Sequence, residues 1–92
     1  MEALVNSVFE EDNLEDSWIR ICKSLKKEIG DNAYKNWIEP LVLIGTEHKV
    51  VSFVAPTSFI GNWVQRNYGD VIYKGFENEG IKIERLKFSA EN

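Results

Sequence analysis

The stretch APTSFIGNWVQRNYGD, residues 55–70, decides the fold, because a strand ends and a helix begins within it. Pro56 has no N–H for a strand ladder, so it favours a strand end. Thr57 or Ser58 then suits the helix N-cap, where a hydroxyl oxygen accepts from free backbone N–H groups. Apolar residues follow at close to helical spacing, namely Phe59, Ile60, Trp63, Val64, Tyr68, Val71, Ile72 and Phe76. Gly69 is predicted to mark a bend in this helix.

Three large aromatic side chains in one short segment raise the question of which of them face solvent. The helical repeat predicts a core side made of Ile60, Trp63, Val64, Ile72 and Phe76. Phe59 falls in the first turn, at the edge of the apolar arc, where its ring is half exposed. Tyr68 is predicted to be semi-buried with its hydroxyl outward. A part-exposed ring matters because aromatic anchors dominate association energetics.

Two helices are predicted upstream of this segment. The first carries an apolar stripe at i, i+3, i+4, i+7 and i+11, formed by Trp18, Ile21, Cys22, Leu25 and Ile29. Asn13 or Asp16 suits its N-cap, and Gly30 suits its end because glycine tolerates a left-handed backbone. Asp31 suits the N-cap of a second, short helix that Pro40 ends. Residues 1–13 are acidic and largely aperiodic, which is typical of a tail or of a short, marginal helix, and of the two we predict a mobile acidic N-terminal tail.

Two apolar, β-branched runs predict a hairpin. Leu41–Ile44 and Val50–Val54 are separated by a slightly long loop from Gly45 to Lys49. A last strand is predicted at 81–88, where a bulge near Glu84 would restore one buried face. Since a helix separates the second and third strands, these two should be parallel. Residues 14–90 thus form a single α+β domain of the order helix-helix-strand-strand-helix-strand, with a three-stranded sheet and helices mainly on one face.

Composition limits the function classes. The chain has 92 residues, 43% of them hydrophobic, and a formal net charge of −4. That length fits one small domain, and the acidic balance argues mildly against a protein whose main task is gripping phosphates. It contains no apolar run long enough for a membrane span. The single cysteine, Cys22, forms no internal disulfide and suits a reducing compartment, so we predict a cytoplasmic protein.

The residue types needed for catalysis do not converge in this sequence. His48, the one histidine, lies in the predicted hairpin loop, and Cys22 lies on an apolar helix stripe. One histidine and one cysteine give no metal-ligand spacing. The sequence contains neither the GxxxxGK[ST] nor the GxGxxG phosphate-binding pattern. We therefore predict no enzymatic activity, no metal and no cofactor.

A basic stripe on the first helix keeps nucleic acid open as a ligand. Lys23, Lys26 and Lys27 share that helix with Arg20, and Arg66 could add to them. Such a stripe is typically a solvated helix face. A GxxG loop with basic neighbours, which a KH-type RNA clamp needs, is missing from the sequence.

Two motifs give the chain a family resemblance. W-x₁₈-W-I-x-P-L runs from Trp18 to Leu41, and A-P-x-x-F-x-x-x-W-V-x-x-x-Y runs from Ala55 to Tyr68. Together, at this spacing, they resemble the N-terminal domain (domain I) of the bacterial chromosomal replication initiator DnaA. The likeness covers roughly residues 17–88. The resemblance implies the same element order as above, in a KH-like fold.

The resemblance also implies a function. In the family this domain self-associates, contacts the replicative helicase DnaB during loading, and binds initiation regulators. Trp18 matches the tryptophan used in self-association, and Ile21 lies on the same stripe. Phe59 matches the phenylalanine linked to helicase contact. Ala33 stands where some members carry a helicase-contacting glutamate, and Asp31 or Glu39 is the candidate to replace that acid.

Three hypotheses follow from these observations. The first is a protein–protein interaction module of a replication initiator, active in DNA replication initiation, helicase loading and weak homodimer formation. The second is a KH-like single-stranded nucleic-acid-binding domain that uses Lys23, Lys26, Lys27 and Arg66, since some family members bind single-stranded DNA weakly. The third is a stand-alone regulator related to the same domain.

Overall fold

The computed structural model describes the backbone of residues 2–91 and the side chains of residues 14–91. Its elements in chain order are α1 (Glu2–Ile29), α2 (Asp31–Ala33), a π-helical turn (Tyr34–Ile38), β1 (Val42–Glu47), β2 (Val50–Ala55), α3 (Ser58–Asn78) and β3 (Arg85–Ala90). The predicted α+β order is therefore confirmed. Within the described residues, no helix is both long enough and apolar enough to cross a bilayer.

Helix α1 begins earlier than the sequence pattern indicated. Its backbone is helical from Glu2, so Asp16 lies inside the helix, and the predicted cap at Asn13 or Asp16 is wrong. The mobile acidic tail predicted for residues 1–13 stays a prediction. The side chains of these residues lie outside the described range. At the other end, Gly30 has φ 94°, the positive value expected where a helix ends in a sharp corner. Asp31 is the first residue of α2, not its cap.

The sheet has the strand order β1-β2-β3 and mixed pairing. Strands β1 and β2 are antiparallel, whereas β2 and β3 are parallel with α3 as their connection, as predicted. Side chains alternate along β2, so Val51, Phe53 and Ala55 are buried against the helices. The opposite face, which carries Ile44 and Lys87, is open to solvent among the described residues. The helices thus cover one face.

The hairpin turn is tighter than the predicted loop from Gly45 to Lys49. Strand β1 extends to Glu47 and pairs with Val50, so only two residues form the loop. These are His48 and Lys49, with φ values of 52° and 65°, as a type I′ turn requires. The register shift falls inside β1, between Leu43 and Gly45, where the strand bulges.

The last strand starts later than predicted, and the predicted bulge near Glu84 is wrong. Residues 81–84 precede β3 as irregular chain, and the phase change between Ile83 and Leu86 falls there. Ile83 is nevertheless buried, and its carbonyl accepts a hydrogen bond from the Tyr73 hydroxyl at 2.9 Å. This bond from α3 helps to hold the segment against the core, together with a backbone hydrogen bond from the Glu84 N–H to the Lys49 carbonyl at 2.7 Å.

Four aromatic rings meet at the centre of the core. Phe53 is fully buried, and its ring centroid lies 4.8 Å from that of Trp18, 6.4 Å from that of Phe76 and 5.3 Å from that of Phe88. These rings come from α1, α3, β2 and β3. The central strand is thereby tied to both long helices and to its parallel neighbour.

Helices α1 and α3 approach each other closely at Gly75. A Cβ atom on Gly75 would lie 2.9 Å from Cγ2 of Ile21, so only glycine fits there without a shift. An ion pair adds to the contact, since Arg20 Nη2 lies 2.7 Å from Glu79 Oε1 at the end of α3. Helix α3 itself is continuous from Ser58 to Asn78, so the predicted bend at Gly69 is wrong.

Two glycines of α3 make a matched test of this close approach. Gly69 has no heavy atom within 4 Å of an added Cβ. Gly69→Ala should raise the free energy of unfolding by about 0.5–1 kcal/mol, because alanine loses less backbone entropy in a helix. Gly75→Ala should lower it by about 1 kcal/mol, because overpacking outweighs that gain. Urea unfolding followed by circular dichroism measures both, and equal stabilisation by the two variants would contradict the packing described.

Candidate functional site

Three aromatic side chains form one contiguous surface outside the core. Trp37, Phe59 and Trp63 contact one another, with ring centroids 4.9 Å apart for the two tryptophans, 6.1 Å for Trp37–Phe59 and 6.3 Å for Phe59–Trp63. Phe59 is 67% exposed and Trp63 is 38% exposed, whereas Trp37 is half-buried. We call these three residues the aromatic surface.

Local chain chemistry fixes the position of the aromatic surface. Thr57 caps α3 as predicted, and its Oγ1 accepts a hydrogen bond from the Ile60 N–H at 3.1 Å. Phe59 and Trp63 lie one turn apart on the capped end of the helix, so their side chains are neighbours. Trp37 reaches them from the π-helical turn. The indole planes of Trp37 and Trp63 are 23° apart, a nearly parallel stack.

The exposure of Trp63 corrects the predicted core. Gly61 and Val64 occupy the buried positions of this turn in its place. A Cβ on Gly61 would be 3.6 Å from the Ala55 Cβ and 3.7 Å from the Phe88 Cβ, so the helix backbone lies directly on the sheet there. Because the helix rests on the sheet at Gly61, the Trp63 side chain lies at the side of the helix, where its ring packs on that of Trp37. Tyr68 is half-buried, as predicted.

The other residues predicted to contact a helicase lie around Trp37 in sequence. Ala33 precedes it by about one turn and is half-buried, whereas Asp31 and Glu39 are exposed. The ring contacts join this segment to the first turns of α3. Asp31, Ala33 and Glu39 are therefore carried by the same part of the fold as Phe59. Their contact with a partner stays a prediction.

The two residues predicted for self-association, Trp18 and Ile21, pack largely in the core. Trp18 is half-buried and stacks on Phe76, with centroids 6.0 Å apart and planes at 3°. Ile21 is 4% exposed, so its side chain has almost no surface to offer a partner. Among the described side chains of α1, from Leu14 onward, the large apolar residue that is exposed is instead Ile19, at 53%. The sequence pattern missed Ile19 because it lies off the apolar stripe.

The basic residues predicted for single-stranded DNA fall into two places. Lys23, Lys26 and Lys27 are all exposed on α1, and the Lys26 Nζ lies 5.8 Å from the centroid of the Tyr34 ring. Arg66 is exposed on α3, one turn after Trp63. A DNA contact by any of the four stays a prediction.

Burial changes the acidity of two neighbouring groups, the Tyr34 hydroxyl and the Cys22 thiol. Burial, together with contact to the Cys22 thiol, raises the pKa of Tyr34 to about 12. Burial likewise raises the pKa of the Cys22 thiol, which keeps it protonated and unreactive. Among the described residues, no three histidine, cysteine, aspartate or glutamate side chains are grouped so as to hold a metal ion.

The chain matches a known protein family. The sequence model of the family described as DnaA N-terminal domain matches residues 15–78, which is more than half of the chain. The chain belongs to the DnaA N-terminal domain family. The match includes all three residues of the aromatic surface.

Relatives of this DnaA N-terminal domain are bacterial initiators. Chromosomal replication initiator protein DnaA of Cereibacter sphaeroides is 40% identical over 77 residues, which cover 84% of this chain and 17% of the relative. The protein of that name in Roseobacter denitrificans is 37% identical over 75 residues, covering 82% and 16%. That of Gluconobacter oxydans is 36% identical over 78 residues, covering 85% and 16%. The chain thus spans about a sixth of the length of these relatives.

The raised pKa of Tyr34 predicts how stability depends on alkaline pH. The folded state holds the phenol proton more tightly than the unfolded chain, whose tyrosine pKa is about 10. The resulting stabilisation is complete below pH 10 and is lost as the pH rises towards 12. Tyr34→Phe should remove this loss. Urea unfolding of both proteins across that range tests it, and parallel pH dependences for wild type and variant would contradict the assignment.

Proposed function

We propose that this DnaA N-terminal domain is a protein-docking module of replication initiation and that the aromatic surface is its main contact. The observation that carries the proposal is the exposure of Phe59 and Trp63 beside Trp37, with the core complete without them. Large rings left in solvent by a small domain are the side chains most enriched among binding hot spots. No catalytic role is proposed.

The aromatic surface is pre-organised for binding. The rings restrain one another, and Phe59 stands in the first turn of a capped helix. A side chain that is already ordered loses little conformational entropy when a partner covers it. Asn67 adds local order, because its Nδ2 donates to the Trp63 carbonyl at 2.9 Å. A partner therefore meets a nearly rigid apolar surface with a polar border.

The family resemblance supplies the partners of this proposal. They are the replicative helicase DnaB and regulators of initiation, met in the bacterial cytoplasm. Phe59 would enter an apolar pocket of the partner, and the exposed carboxylates of Asp31 and Glu39 would meet basic groups at its rim. Ala33 carries no charge at the position where some members have a glutamate, so the polar part of the contact would differ from that of those members.

Self-association into a weak homodimer is part of the same proposal. The family resemblance supports it, with Trp18 as the matching residue. Trp18 stacks on Phe76 in the core and is half-buried, so it can give a second copy only part of its indole. Ile21 supports the position of Trp18 from within the core.

Single-stranded DNA binding is a second candidate, favoured by the three exposed lysines of α1. Contacts to phosphates release counterions, so such binding must weaken steeply with salt. A labelled oligonucleotide titrated at several salt concentrations distinguishes it from docking on the aromatic surface. Binding through the rings should change little over the same range.

Phe59→Ala should weaken binding to the cognate replicative helicase by about tenfold or more, as expected for an aromatic hot spot. The fold should stay intact because the ring is mostly exposed. Biolayer interferometry gives the affinity, and circular dichroism confirms the fold. The proposal is wrong if the folded variant keeps the wild-type affinity.

Ile44→Ala provides the matched control. Ile44 is 62% exposed, close to the exposure of Phe59, but it lies on the open face of the sheet. Its removal should leave helicase affinity within about twofold, which is less than one hot-spot contact. Equal weakening by both variants would show that general apolar exposure, not the aromatic surface, drives binding.

A further inference from the structure

The exposed side of α1 carries a symmetric charge pattern centred on Ile19. Glu15 lies four residues before Ile19, and Lys23 lies four residues after it. Because residues four apart are neighbours on one helix face, the three side chains line up along α1. All three are exposed, Ile19 to 53%. The face is therefore acidic at one end, apolar in the middle and basic at the other end.

These charges have no partners within the described part of the chain. Among side chains 14–91, the single ion pair joins Arg20 to Glu79 and leaves out Glu15 and Lys23. The residues one turn from Lys23 are Ile19 and Lys27, neither of which is acidic. Ion pairs within the described part of the chain thus leave Glu15 and Lys23 free to meet charges on another molecule.

We propose that this face binds the same face of a second copy of the chain, with the two α1 helices antiparallel and the two-fold axis at Ile19. In that arrangement Glu15 of each copy lies opposite Lys23 of the other, and the two Ile19 side chains meet at the axis. The sequence continues the symmetry, since Asp12 is seven residues before Ile19 and Lys26 is seven after it. A two-fold dimer requires such a self-complementary patch.

This inference rests on the self-association proposed above and names a surface for it. The surface uses Ile19, Glu15 and Lys23, none of which belongs to the aromatic surface. It also does not require Ile21, which is buried. The pairs are exposed and few, so the dimer is weak and its affinity falls with salt.

Charge complementarity favours a second copy over nucleic acid on this face. A phosphate backbone attracts Lys23 and Lys26 but is repelled by Glu15 and by the exposed Asp16 on the same helix. A second antiparallel α1 presents the opposite charge at each end. The whole length of the face is then matched, not only its basic half.

Two single charge reversals in the full chain test the arrangement. Glu15→Lys places lysines opposite each other across the axis, and Lys23→Glu places glutamates opposite each other. Each variant alone should dimerise about tenfold more weakly than wild type, because symmetry changes two pairs at once. Sedimentation velocity over a concentration series measures this.

Mixing the two variants gives the decisive result. In a mixed dimer every lysine faces a glutamate, so the 1:1 mixture should associate more tightly than either variant alone. The double variant, Glu15→Lys with Lys23→Glu, should regain wild-type affinity. Lys87→Glu on the open sheet face is the control for net charge and should have no effect.

Each other outcome overturns the inference. If wild type dimerises but the mixture gains nothing, the α1 face is wrong and self-association through another surface stands. If wild type remains monomeric up to about 1 mM, self-association fails altogether, while the Phe59 test of helicase docking is unaffected. If Lys23→Glu abolishes oligonucleotide binding and leaves the dimer unchanged, the face serves nucleic acid.

Discussion

The buried ring of Phe53 is the contact on which the rest of the structure depends. It stands on the central strand, and rings from α1, α3 and β3 converge on it, those of Trp18, Phe76 and Phe88. Each layer of the domain is thereby fixed against the same point. Aromatic pairs at these distances stabilise beyond the area they bury, which suits a chain with little interior.

A division of the aromatic residues follows from that constraint. The rings around Phe53 belong to the core, whereas the exposed rings of Phe59 and Trp63 do not, and Trp37 packs partly against it. Trp18 belongs mainly to the first group, because its half-buried ring stacks on that of Phe76. A ring that packs in the core can offer a partner only its accessible edge. Such a residue is therefore a poor guide to the main docking surface. The exposed Phe59 is a better one.

Local chemistry explains how much of the fold was predictable from the sequence. Pro40, Pro56 and the Thr57 cap act within a few residues, so the element order followed from them. The face presented by Trp63 depends on a tertiary contact, the close approach of Gly61 to the sheet. The sequence shows a wide apolar arc on this helix. It does not show which residues of the arc are buried, because the contact between Gly61 and the sheet decides that. Phe59 was placed correctly since its position in the first turn is itself local.

The stacked indoles of Trp37 and Trp63 have an optical consequence. Two indoles with ring centroids 4.9 Å apart are close enough for their strong ultraviolet transitions to couple, so the pair makes its own contribution to the circular dichroism. The core indole of Trp18 has no second indole among its ring contacts and contributes an ordinary signal. The domain therefore carries an intrinsic, label-free reporter at the place where a partner would settle.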